Sequence, residues 1–139
     1  MHRPTLQRLA AAIALTMAAQ TQAATFTVTK TQDTDINNVG TLRWAIAQAN
    51  NNAGGDTIAF AIASGAQTIT LQSELDMLAD DLTQINGATQ PGYAGAPLIR
   101  IDGSQLDPNA RGLYLRGDQI AINALSLTGF GDAAVFGDE

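Results

Sequence analysis

Cysteine is absent from the chain, and its one histidine, His2, stands at the extreme N-terminus. The first absence excludes disulfide staples and thiol nucleophiles. With His2 set aside in a leader, as argued next, no imidazole remains either, which excludes Cys/His zinc sites and Ser-His-Asp or Cys-His machinery. Packing and hydrogen bonds must then carry the stability. Positive charge is scarce as well: beyond the leader stand Lys30, Arg43, Arg100, Arg111 and Arg116 against thirteen acidic residues, a balance of 5 − 13 = −8. A field of that sign repels nucleic acid and anionic membrane surfaces, so neither is expected as a partner. It suits solubility, with an oxygen-ligand cation such as calcium as the sharper alternative.

Long apolar runs are missing too. Arg3 and Arg8 precede an uncharged run from Leu9 to Ala19, followed by the small-residue sequence Thr21-Gln22-Ala23. The run falls short of the roughly 20 apolar residues that cross a bilayer, and the order of features is that of a secretory signal peptide. The expectation is a leader over residues 1–23, cut after Ala23, with Ala24 or Ala19 as alternatives. The product would be secreted, periplasmic or on the cell surface, with no transmembrane segment once the leader is gone.

What is present alternates. Thr25–Thr29 sets Phe26 and Val28 on one face and three threonines on the other, a half-buried strand. Lys30 to Asn38 is a polar loop. Asp33 and Asp35 resemble the start of a calcium loop, but the glycine and distant glutamate of that motif are missing, so a solvated loop is expected and no metal ligand is assigned. At Thr41 the period changes. Leu42, Ala45, Ile46 and Ala49 fall at i, i+3, i+4 and i+7, one apolar stripe of a helix that Gly40 or Thr41 can cap and Asn50 to Gly55 can end.

Beyond Asp56 short strands are expected at Thr57–Phe60, Thr68–Leu71, Leu82–Asn86, Leu98–Asp102, Leu113–Leu115, Ile120–Ile122, Leu125–Leu127 and Ala134–Phe136, separated by Gly, Asn, Asp and Pro. Strands this short point to a sandwich, barrel or solenoid. Two internal echoes favour the solenoid: residues 111–118 align with 132–139 at an offset of about 21, and Ile85-Asn86-Gly87 recurs as Ile101-Asp102-Gly103. The last residues read as a strand just entered, so a fragment is expected.

The motifs Phe26-Thr27-Val28-Thr29, Thr41-Leu42-Arg43-Trp44-Ala45-Ile46, Gly55-Asp56-Thr57-Ile58-Ala59-Phe60, Thr89-Gln90-Pro91-Gly92-Tyr93 and Ile101-Asp102-Gly103 stand in an order that resembles the N-terminal part of secreted bacterial right-handed parallel β-helix proteins, the pectate-lyase-like superfold. Trp44 occupies a position where that group often has an acidic residue or glutamine, and a cysteine carried by some members is missing. The resemblance implies an all-β, right-handed parallel β-helix with one N-terminal capping α-helix. Residues 24–60 would form the cap and residues 61–139 the first coils. It also implies that lyases of the superfold use an arginine or lysine base with aspartate-held calcium, for which only Asp102 is plausibly placed here.

Candidate residues follow from these placements. Leu42 and Ile46 would close the end of the stack, Arg43 and Asp56 would form an ion pair locking helix to first strand, and Trp44 would pack on the cap. Tyr93 and Tyr114 could stack on sugar rings, and Arg100 points outward between Ile99 and Ile101. These three are the possible ligand contacts. Glu74, Asp76, Asp80 and Asp81 read as a charged loop. No catalytic or cofactor-binding residue is assigned. The expected function is a structural or adhesive segment of an exported protein, with carbohydrate or another cell-surface ligand as partner. The alternative is the N-terminal part of a polysaccharide lyase or glycoside hydrolase whose catalytic coils lie beyond residue 139.

Overall fold

The computed structural model describes residues 22–137. All but the last two positions of the expected leader lie outside the described residues. The helix, α1 (Leu42–Asn51), forms where the apolar period changes, and its four stripe residues Leu42, Ala45, Ile46 and Ala49 are all buried. The Thr41 hydroxyl caps it by accepting from the Trp44 N–H at 3.2 Å, and the Asn52 N–H closes its far end on the Gln48 carbonyl at 3.0 Å. Trp44 packs edge-on against Phe26, ring centroids 6.0 Å apart.

Nine short strands accompany the helix: β1 (Thr25–Val28), β2 (Thr57–Phe60), β3 (Gln67–Thr70), β4 (Gln84–Asn86), β5 (Ile99–Asp102), β6 (Leu113–Leu115), β7 (Ala121–Asn123), β8 (Leu125–Thr128) and β9 (Val135–Gly137). They pair in parallel as three sheets, β1-β2-β4-β7, β3-β5-β8 and β6-β9. Parallel register stacks like on like. Phe26, Ile58, Ile85 and Ile122 form one column, and Ile69, Ile101 and Leu127 form another. Their inner members Ile58, Ile69, Ile85 and Ile101 are fully buried, and α1 lies against β1 and β2 over the same core. Each such aliphatic side chain taken from water contributes about 1.5–3 kcal/mol.

The expected all-β right-handed parallel β-helix is corrected by this arrangement. Strand makes up 28% of the described residues and helix 11%, and the short parallel strands sit in separate sheets that do not close into a solenoid. The physical reason lies in the connections. Between β3 and β4 the chain runs through Ser73, Glu74, Asp76, Asp80 and Asp81 without an alternating apolar pattern, and a single bridge, Leu78 to Leu115, joins that stretch to β6. Residues 103–112 are likewise irregular, with turns at Leu106 and Ala110.

Candidate functional site

Turns between short strands leave backbone N–H groups without a ladder partner, to be met by a side chain or by water. Here polar side chains from distant segments meet them. Asp33 Oδ2 accepts from Gln72 N–H at 2.6 Å, Glu74 Oε1 from Arg111 N–H at 2.7 Å, and Asp81 Oδ1 from Asp118 N–H at 2.8 Å. Asp80 Oδ2 takes the Thr83 hydroxyl at 2.6 Å. The expected charged loop is thus largely a set of acceptors committed to structure.

Arg43 and Asp56, expected to pair, do not. Arg43 Nε and Nη2 donate to the two oxygens of Asp33 at 2.6 and 2.9 Å. Its guanidinium also donates to the Glu74 carbonyl at 2.7 Å and to the Ser73 carbonyl. The side chains of Arg43 and Asp33 are 11% and 1% exposed, so this is a nearly buried bidentate pair. Asp33 lies in the loop read as solvated. Seven residues along the helix, hence on the same face, Asn50 binds the same distant loop, donating to the Met77 carbonyl and accepting from Ala79 N–H, both at 2.8 Å. The i, i+7 spacing of Arg43 and Asn50 was the available signal for this helix-to-loop seam. Asp35 Oδ1 accepts from Asn37 N–H at 2.8 Å, a local turn.

Gln90 was not singled out from sequence. It is 1% exposed, accepts from Ile62 N–H at 3.0 Å and donates to the Ile62 and Gly65 carbonyls at 2.7 and 3.0 Å. No local pattern marks a glutamine that replaces a strand partner in this way.

Tyr93, Arg100 and Tyr114 stand on three different elements and do not form one constellation. Tyr93 closes the turn after a 3₁₀ segment, its N–H donating to the Gln90 carbonyl at 3.0 Å. Tyr114 on β6 meets Phe136 of β9 edge-on at 5.3 Å, and the Arg111 guanidinium covers both rings at 5.3 and 4.3 Å. Its ring is therefore already partnered within the chain. Arg100 is exposed at the centre of the outer face of β3-β5-β8, with Thr68 on one side in register and Ser126 on the other. The next outward row is Thr70, Asp102 and Thr128. Among the described residues Arg100 makes no ion pair. Asp102 turns instead to Ser104, accepting from its N–H and its hydroxyl at 3.0 Å each. A groove of about 170 Å³ runs beside Gln67, Thr68, Arg100 and Ser126. The arrangement offers five guanidinium donors in a fixed fork between two hydroxyls.

Among the described residues no cluster of three or more His, Cys, Asp or Glu is placed to hold a metal ion, and no helix is long and apolar enough to cross a membrane. No family, curated protein or solved structure compared with the chain matches it.

Proposed function

We propose that the chain is a structural and adhesive segment of an exported protein, and that the outer face of β3-β5-β8 around Arg100 is its contact surface for carbohydrate. One observation carries the reading. Asp33, Glu74, Asp80 and Asp81 hold backbone or hydroxyl groups of their own fold, while Arg100 is presented to solvent between Thr68 and Ser126. The chain's negative field disfavours a polyanion, so the ligand class is an uncharged, hydroxyl-rich polysaccharide, whose oxygens accept from the guanidinium and exchange hydrogen bonds with the hydroxyls. Immobilised neutral glycans probed with the exported chain test this. Arg100→Ala is expected to weaken binding about tenfold or more, the worth of a hydrogen bond to a charged group. Unchanged binding by that variant rules the face out, and turnover of the glycan points instead to a carbohydrate-active enzyme.

A further inference from the structure

Asp56 is 1% exposed, and its two oxygens are treated unequally. Oδ1 accepts from the Ala24 backbone N–H and from Asn52 Nδ2, both at 2.8 Å. Oδ2 is buried and lacks a hydrogen-bond partner among the described residues, and no cation pairs with the group there. A buried carboxylate in that condition is strongly unfavourable unless a positive donor joins it.

Ala24 is the position that can supply one. Its carbonyl accepts from Thr57 N–H at 2.8 Å, which fixes the residue at the entrance to β1 beside Asp56. As a peptide nitrogen it has one hydrogen, already given to Oδ1. As the first nitrogen of a chain it has three and a positive charge. The two residues before it are exposed and pass Gly54, whose φ is +128° and where a Cβ would stand 3.0 Å from the Gln22 carbonyl carbon. They contribute one described side-chain contact, from Asn52 Nδ2 to the Gln22 carbonyl at 2.9 Å. Their removal leaves Asn52 its bond to Asp56.

We propose that proteolytic removal of residues 1–23 makes Ala24 an α-ammonium that pairs with buried Asp56, satisfies Oδ2 and locks the start of β1 to the start of β2. Hydrolysis breaks the bond between the Ala23 carbonyl carbon and the Ala24 nitrogen. Water's hydroxyl goes to the carbon, its hydrogen to the nitrogen, and the nitrogen takes one more proton from solvent. The inference rests on the exported reading, since a leader must be cut after Ala23.

The full chain, leader included, is expressed in a secreting bacterial host, and intact mass gives the first residue of the exported product, expected to be Ala24. Lys30 is the chain's one lysine, so in a Lys30→Arg background acetylation reports on the α-amine alone. Acetylation is expected to lower the folding equilibrium constant in urea about tenfold or more, and to proceed more slowly on the folded chain than on the unfolded one. With Asp56→Asn the effect on stability should vanish. Should that variant not fold, the ratio of acetylation rates in the Asp56 chain decides. Equal rates, or stability unchanged by acetylation, overturn the pair and leave export standing, as does an exported chain beginning at any other residue. A chain retained uncut in the cell removes the exported reading and the inference with it.

Discussion

Val28, Ile58 and Phe60 in β1 and β2 are at most 1% exposed, whereas Ile122 of β7 and Leu125 and Leu127 of β8 are half-buried and Val135 of β9 is 44% exposed. The residues are all apolar and the strands all three or four residues long. The difference is what lies over them. At the first strands α1 lays Leu42, Ala45, Ile46 and Ala49 on the core, while over the last strands no described residue does the same. Burial in this molecule is thus set by what packs over a strand rather than by the strand's own pattern.

Truncation at the two ends tests that contrast most strongly. Ile46→Ala should destabilise by about 3–4 kcal/mol in urea unfolding, and Leu127→Ala by about 1 kcal/mol, because a half-exposed site loses less contact and leaves no closed cavity. Equal losses would break the comparison. The seam that holds the covered end comes next. Arg43→Ala should cost about 3 kcal/mol, since it strands Asp33 in the interior with only Gln72 N–H as partner. A double-mutant cycle should show strong coupling between Arg43 and Asp33 and simple additivity between Arg43 and Asp56. The smallest effect is expected at a corner away from the helix. Leu82 is 56% exposed with φ +63°, and Gln119, one layer on in the register that pairs Gln84 with Ala121, has φ +56°. Leu82→Asn should raise stability by about 0.5 kcal/mol, because asparagine tolerates the left-handed region that leucine resists. A loss would mean that the leucine side chain itself holds the corner.

Local structure was largely legible in the sequence. The stripe from Leu42 to Ala49 placed the helix and left its cap between Gly40 and Thr41, of which Thr41 serves, and alternation placed β2 and β6 to the residue and the other strands to within two. What periodicity could not convey was how strands join. Pairing partners in the four-stranded sheet are separated by 57 − 25 = 32, 84 − 57 = 27 and 121 − 84 = 37 residues, so no constant repeat exists to be read. The echo at about 21 residues corresponds to a true register of 135 − 113 = 22. The other echo has a different origin. Asn86 and Asp102 lie on different sheets, and each side chain accepts from the N–H two residues on, so their likeness is shared turn chemistry rather than stacking. The Arg43–Asp33 pair is not legible because Asp33 lies in a loop without periodicity, and nothing local marks which carboxylate a long side chain will reach.

Side-chain acceptors that reach across the molecule also change what the irregular segments are. The amides of Phe60, Ile62, Gln72, Ala79, Arg111 and Asp118 are held by Thr89, Gln90, Asp33, Asn50, Glu74 and Asp81. Their hydrogens can exchange with solvent only when the contributing side chain lets go, so these positions share the opening energetics of the elements that hold them. In a hydrogen-exchange map the connections at these points would read as part of the framework, and the boundary between loop and sheet would follow the acceptors, not the strands.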